Sequence, residues 1–230
     1  MLNVLDSRAL ARTDCFAQRF MRPGRYAYNV LPAHSRVLAD DRPFAILVED
    51  GGRTPEMKQH NLLIDRRDGR FVPSAKELKI ATGDLVLWNC VDGKAGTYSV
   101  VGDQEFFDSG KMVNECGYSH AFGMPGEYKW KDAYGSGLSG SVKVIDPQCC
   151  CEADVKKWRS KLSKGTIVMI AGDKAEPKSV EVMTGQTVFF AVVKSTGISI
   201  TDERLLAIAP GPCGSHEGKE DKPKKSDKKK

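Results

Sequence analysis

The feature that most limits what this chain can fold into is an internal similarity at a fixed displacement. Phe20, Pro23, Gly24, Tyr26 and Tyr28 recur as Phe122, Pro125, Gly126, Tyr128 and Trp130, 102 positions later. The segment from Lys76 to Trp88, KELKIATGDLVLW, has its counterpart in KSVEVMTGQTVFF from Lys178 to Phe190, with Thr82-Gly83 over Thr184-Gly185 at the same displacement. Two separate segments sharing one offset point to a repeated structural unit, and a repeat governs every later assignment. The pattern inside the segments is strand-like. Leu78 and Ile80, then Leu85 and Leu87 after the Thr82-Gly83 turn, alternate with polar or small residues as half-buried strands do. The 22 glycines and 11 prolines are spread among short apolar runs, which favours many turns over long helices. One segment has helical spacing: CEADVKKWRSKL, with Val155, Trp158 and Leu162 three and four residues apart.

These signals predict an all-β chain cut in mid-unit at both ends. Residues 1–50 read as the back half of one unit and 57–147 as a complete contiguous unit. Residues 148–163 read as a linker with a short helix, and 164–207 as the front half that closes on 1–50. Residues 208–230 read as a disordered, lysine-rich tail, since its run GKEDKPKKSDKKK has no apolar residue except one proline and cannot offset the entropy of ordering.

Over about ninety residues the complete unit resembles the cupredoxin family, of which plastocyanin and amicyanin are members. The resemblance lies in the order of FVPSAKELKIATGDLVLWNC, FFDSGKM, YSHAFGMPGEYKWKD and GLSGSVKV. It implies two Greek-key β-sandwich domains, one contiguous and one assembled from the terminal half-repeats. In that family copper sits between a His after the second apolar strand and a loop carrying Cys, His and usually Met, a thiolate and two imidazoles forming the trigonal site with a weak axial thioether. Aligned on those motifs, Tyr98 or Thr97 stands at the first His, Asp132 at the Cys, Gly135 at the second His and Leu138 at the Met. In the first half-unit Val30 and Ala33, one short of His34, take the Cys and His places, and the matching first-ligand region near Ile198–Ile200 has no His. The resemblance therefore implies the fold without type I copper and with no cofactor.

Other candidate donors are weaker. Cys149, Cys150 and Cys151 follow the closing strand, and Cys213 and His216 could complete a soft-metal set with them, which keeps copper as the alternative cofactor. No C-x-x-C pair is present, and adjacent cysteines point different ways along a chain. Cys116, His120 and Met124 have helical spacing on a segment that reads as strand, and so do not converge. There is no G-x-S-x-G, no H-E-x-x-H and no phosphate loop, so no reaction is expected.

Of the net charge of +5, the tail after Ser215 contributes +3 through seven lysines against Glu217, Glu220, Asp221 and Asp227. A near-neutral body does not suit nucleic acid, while the tail could meet an acidic partner. No apolar run reaches the length of a membrane span, and the N-terminus lacks a secretory pattern, from which a cytoplasmic location is expected. The function class predicted is a non-catalytic scaffold or interaction module that meets another protein or its own copies. The alternative is a copper protein, for electron transfer or copper handling, that uses non-family ligands.

Overall fold

A computed structural model describes residues 4–35, 41–51, 57–90, 96–102, 108–147 and 151–207. The described chain is all-β in character, with sixteen strands and two short helices. The first eight strands are β1 (Asp14–Arg19), β2 (Gly24–Pro32), β3 (Phe44–Glu49), β4 (Gln59–Arg67), β5 (Arg70–Pro73), β6 (Glu77–Ala81), β7 (Leu85–Cys90) and β8 (Tyr98–Gly102). The second eight are β9 (Cys116–Ala121), β10 (Gly126–Lys131), β11 (Ser139–Ile145), β12 (Thr166–Ala171), β13 (Lys174–Glu176), β14 (Ser179–Met183), β15 (Thr187–Lys194) and β16 (Thr201–Asp202). Helix α1 (Glu152–Leu162) joins β11 to β12, and α2 (Glu203–Leu206) follows β16.

The strands form three sheets, in the orders β13-β12-β15-β9-β1-β7-β4-β5, β14-β11-β10-β16 and β6-β3-β2-β8. Pairing in the first eight strands recurs in the last eight. Parallel pairs β4–β7 and β3–β6 correspond to β12–β15 and β11–β14, and the antiparallel hairpin β2–β3 corresponds to β10–β11. In both sets the Thr-Gly turn carries a glycine at φ 95 (Gly83) or 93 (Gly185), left-handed values that a β-carbon disfavours. The residue after it ties the turn down. Asp84 accepts from the backbone N–H of Lys58 (2.9 Å) and Ala81 (3.1 Å), while Gln186 accepts from Met183 (2.7 Å) and donates to the carbonyls of Lys161 and Lys164.

Alternation along the strands puts aromatic rings into two layers of core. Trp88 stacks on Phe16 at 5.5 Å and meets Tyr28 edge-on at 5.7 Å. At the corresponding place Trp130 meets Phe190 edge-on at 5.5 Å. The indole has changed strand, from β7 to β10, and its partner has shrunk to match, as close packing demands. Phe20–Tyr26 and Phe122–Tyr128 have the same centroid separation, 4.9 Å. Tyr26 and Tyr128 each donate to the carbonyl four residues upstream, Arg22 at 2.8 Å and Met124 at 2.9 Å.

The expected partition is not how the strands pair. Residues 57–147 do not close on themselves, because β6, β7 and β8 pair with β3, β1 and β2. Strands within 164–207 pair with β9, β10 and β11 and with each other, not with strands of 10–50. Tyr26 and Tyr28 accordingly lie in the sheet with β6, and it is β10 and β11 that lie with the strand of Val180 and Val182. A repeat offset sets the correspondence between copies and leaves open where each copy starts. Shorter connections favour the observed partition, since β1, β2 and β3 meet β7, β8 and β6 before the 164–207 strands are reached, at a modest saving in closure entropy. Within the expected linker, Glu152–Leu162 is helical, with Val155, Trp158 and Leu162 half-buried and Trp158 Nε1 donating to the Thr184 carbonyl at 3.1 Å. The expected tail, 208–230, lies outside the described residues.

The pairing makes a direct prediction. A fragment of residues 57–147 lacks the partners of β6, β7 and β8 and should be digested by protease at the rate of an unfolded chain. A protease-resistant 57–147 fragment would contradict the pairing.

Candidate functional site

The family ligand positions fall in two places. Tyr98 opens β8 and pairs with Pro32 at the end of β2, so it lies beside the loop of Val30, Ala33 and His34. The backbone N–H of Ala33 donates to the Thr97 carbonyl at 3.0 Å. Asp132, Gly135 and Leu138 lie in the β10–β11 loop, where Asp132 meets Ser199 just ahead of β16. The set Tyr98, Asp132, Gly135 and Leu138, expected around one point, is thus divided. In each set, the loop after the long hairpin strand faces the segment that leads into β8 or β16.

The chemistry at neither place fits a type I copper. Asp132 is a clamp. Its Oδ1 accepts from the N–H of Tyr134 (3.1 Å) and Ser199 (2.9 Å), and its Oδ2 from the N–H of Ser136 (2.9 Å). The Ala133 N–H donates to Ser199 Oγ at 2.9 Å, and the Asp132 N–H to the Leu138 carbonyl at 2.9 Å. Burial works against the charged carboxylate, but the donors of Ser136, Ser199 and Tyr134 outweigh it and hold Asp132 below the ordinary carboxylate value. Gly135 sits at φ 87 and has no side chain to donate, and Leu138 is buried in the core. In the first set Val30 is buried and His34, at φ 62, turns toward Asp6, with Nε2 3.7 Å from Oδ2. Burial, and then the nearby Cys15, Cys90 and Asp14, push the Tyr98 phenol well above its usual value. Its hydroxyl finds no hydrogen-bond partner among the described residues.

Of the soft-metal candidates, Cys149, Cys150, Cys213 and His216 lie outside the described residues. Cys151 is exposed ahead of α1, its thiol donating to Asp154 Oδ2 at 3.4 Å. Cys116 is packed between Gln18 and Val192, and burial pushes its thiol up to about 12. Met124 is exposed at a turn, so Cys116, His120 and Met124 do not converge.

Sequence reasoning did not find the polar cluster at the junction of the two strand sets. Antiparallel pairing of β1 with β9 centres on Phe16 opposite Tyr118, which are themselves 102 positions apart. Two positions away, Asp14 faces His120 across the strands. The Asp14 carboxylate bonds His120 Nδ1 and accepts from Tyr118 OH at 3.0 Å, all three residues being buried. The symmetry-related position holds Gln18 opposite Cys116. Gln18 Nε2 donates to the carbonyls of Arg19, Asn114 and Glu115 at 2.9, 3.3 and 3.3 Å. A groove of about 620 Å³ opens beside Gln18, floored by Phe20 and Tyr26 and rimmed by Arg22, Glu115 and Lys194. It holds no nucleophile paired with a base.

The missed signal was a third match. Asp6-Ser7 recurs as Asp108-Ser109, and Leu10 as Met112. These segments start each set and lace the two together. The N–H and Oγ of Ser7 bond Ile200, while those of Ser109 bond Val100, so each arm reaches the other set. Each then returns to its own, Leu10 pairing with Tyr98 and Met112 with Ile198. No family model, curated protein or solved structure matches the chain.

Two measurements check this geometry. Asp132 binds its proton less readily when folded than when unfolded, so its contribution is complete above the ordinary value of 3.8 and lost as pH falls through and below it. The stability gap between the protein and Asp132→Asn should therefore be widest near neutral pH and shrink below that value in denaturant titrations. At the junction, His120→Leu removes one of three donors to a buried carboxylate, the Ala11 N–H and the Tyr118 hydroxyl remaining, and should cost about 1–3 kcal/mol. Asp14→Leu combined with His120→Leu should cost less than the sum of the single changes.

Proposed function

We propose that the protein is a non-catalytic scaffold or interaction module built from two cupredoxin-like β-sandwiches, residues 14–102 and 116–202, that lack type I copper. The observation that carries this reading is the Asp132 clamp. At the place where the family needs a thiolate, the side chain spends its acceptor capacity on three backbone N–H groups and holds a loop. The meeting of the 132–138 loop with Ser199, and of the 30–34 loop with Thr97 and Tyr98, supports the cupredoxin resemblance, because the family sets its ligand loop against its first-ligand segment in this way. The parallel and antiparallel pairs shared by the two sets support a duplicated unit. Among the described residues no helix is long and apolar enough to cross a membrane.

Purified protein offered Cu(II) should show no intense thiolate-to-copper absorption, since none of Tyr98, Asp132, Gly135, Leu138, Val30 or Ala33 is a thiolate or imidazole. An intense blue band abolished by replacing one of Cys149–Cys151 would instead favour copper handling through non-family ligands. Metal analysis of the protein as isolated separates the two in the same experiment.

A further inference from the structure

The eight-stranded sheet buries one face against the two four-stranded sheets, and among the described elements none packs on its other face. Strand alternation defines what that outer face carries. On β12, Val168 and Ile170 point inward, while Ile167 and Met169 are 54% and 47% exposed. On β15, Phe189 and Ala191 are outward and half-buried. On β9 the outward Gly117 lies under the Phe189 ring, where an added Cβ would come within 2.3 Å of Cζ. Leu85 and Leu87 on β7, half-buried, and Leu63 on β4, 41% exposed, continue the surface, while on β1 Cys15 is half-buried and Ala17 is covered by its neighbours at 1% exposure. From β12 to β7 the outward positions are uncharged except at the strand ends, where β15 finishes in the exposed Lys194 and β1 in Arg19, whose guanidinium is held by the Gly83 carbonyl. Charges collect at the rims: Lys174 and Glu176 on β13, and the Asp65–Arg67 pair on β4.

We propose that this face is the interface of a homodimer, its occupant the same face of a second copy. The inference rests on reading the chain as a scaffold and names its partner. Eight strands of about six residues span about 34 by 20 Å, or about 700 Å² of sheet plane, close to the ~800 Å² per partner of a stable complex. An apolar centre with a charged rim is the layout of such an interface. An uncharged centre gives a charged partner nothing to grip and lets a copy approach without like-charge repulsion. The face also has its own approximate two-fold axis, through the Phe16–Tyr118 pair, which relates Leu63 opposite Asn89 to Met169 opposite Ala191. Two such sheets stack face to face about 10 Å apart, with Ile167, Met169, Phe189, Leu63 and Leu87 interleaved.

Light scattering on the full chain should give twice the 25.3 kDa chain mass. Ile167→Glu with Met169→Lys should halve it while leaving the far-ultraviolet circular dichroism unchanged. A wild-type monomer at the highest attainable concentration overturns the proposal, as does a dimer that survives both charges. Hydrogen exchange of the unmodified protein gives a readout independent of the variant's folding. Dilution should raise exchange in β12 and β15, and an increase confined to other segments overturns the assignment. The copper test is independent of this one, since a blue band sinks the copper-free reading and leaves the dimer mass untouched, whereas a monomer sinks only the dimer.

Discussion

The antiparallel pairing of β1 with β9 is the contact on which the rest depends. Each strand would otherwise be the edge of a four-stranded sheet, with a row of unpaired N–H and C=O groups open to any passing strand. Joining them removes both edges and makes one continuous eight-stranded sheet. Because the register centres on Phe16 opposite Tyr118, equivalent residues of the two strand sets meet at an approximate two-fold axis, as in an isologous dimer fused into one chain. The arms of Ser7 and Ser109 follow the same symmetry, each bonding across to the other set before its own strand begins.

That symmetry is broken where chemistry is buried. Asp14 and His120 face each other on one side of the axis, while Gln18 and Cys116 occupy the other. Gln18 satisfies the carbonyls of the Asn114–Glu115 turn through its amide, and Tyr118 adds a hydroxyl to the Asp14 side. The buried Asp14 carboxylate disfavours a slip of register, since moving β9 by one residue would turn His120 and Tyr118 to the outer face and leave only the Ala11 N–H, at 2.7 Å, on the charge. Polar specificity at the junction and aromatic packing in the two cores thus act on different problems, one selecting register and the other supplying most of the apolar burial.

The β10–β11 loop is held by its own first residue. The segment after β10 turns through Gly135 and Gly137, both at positive φ. Its anchoring residue is a carboxylate directed at backbone donors. The loop gains rigidity from that arrangement, and Tyr134 reaches on to the Gly110 carbonyl at 2.8 Å, tying the loop to the segment before β9. The strand pattern leaves the outer face of the large sheet open among the described elements.

Much of the local structure was legible in the sequence. Alternation gave the strands around Leu78–Leu87 and Val180–Val193, three- and four-residue spacing gave α1, and recurrence at 102 positions gave the correspondence between Tyr26 and Tyr128 or Gly83 and Gly185. These are short-range properties, set by side-chain period and turn chemistry within a few residues. The sequence by itself therefore determined the elements, the repeat distance and the residue types at positions 98, 132, 135 and 138. Only the tertiary structure decided where each unit begins, that Tyr98 belongs with Val30 and Ala33 and not with Asp132, and that Asp14 meets His120. A strand carries the same alternation whichever neighbour it pairs with, so the choice among compatible edges is made by loop length and by the few buried polar groups whose partners must coincide in space.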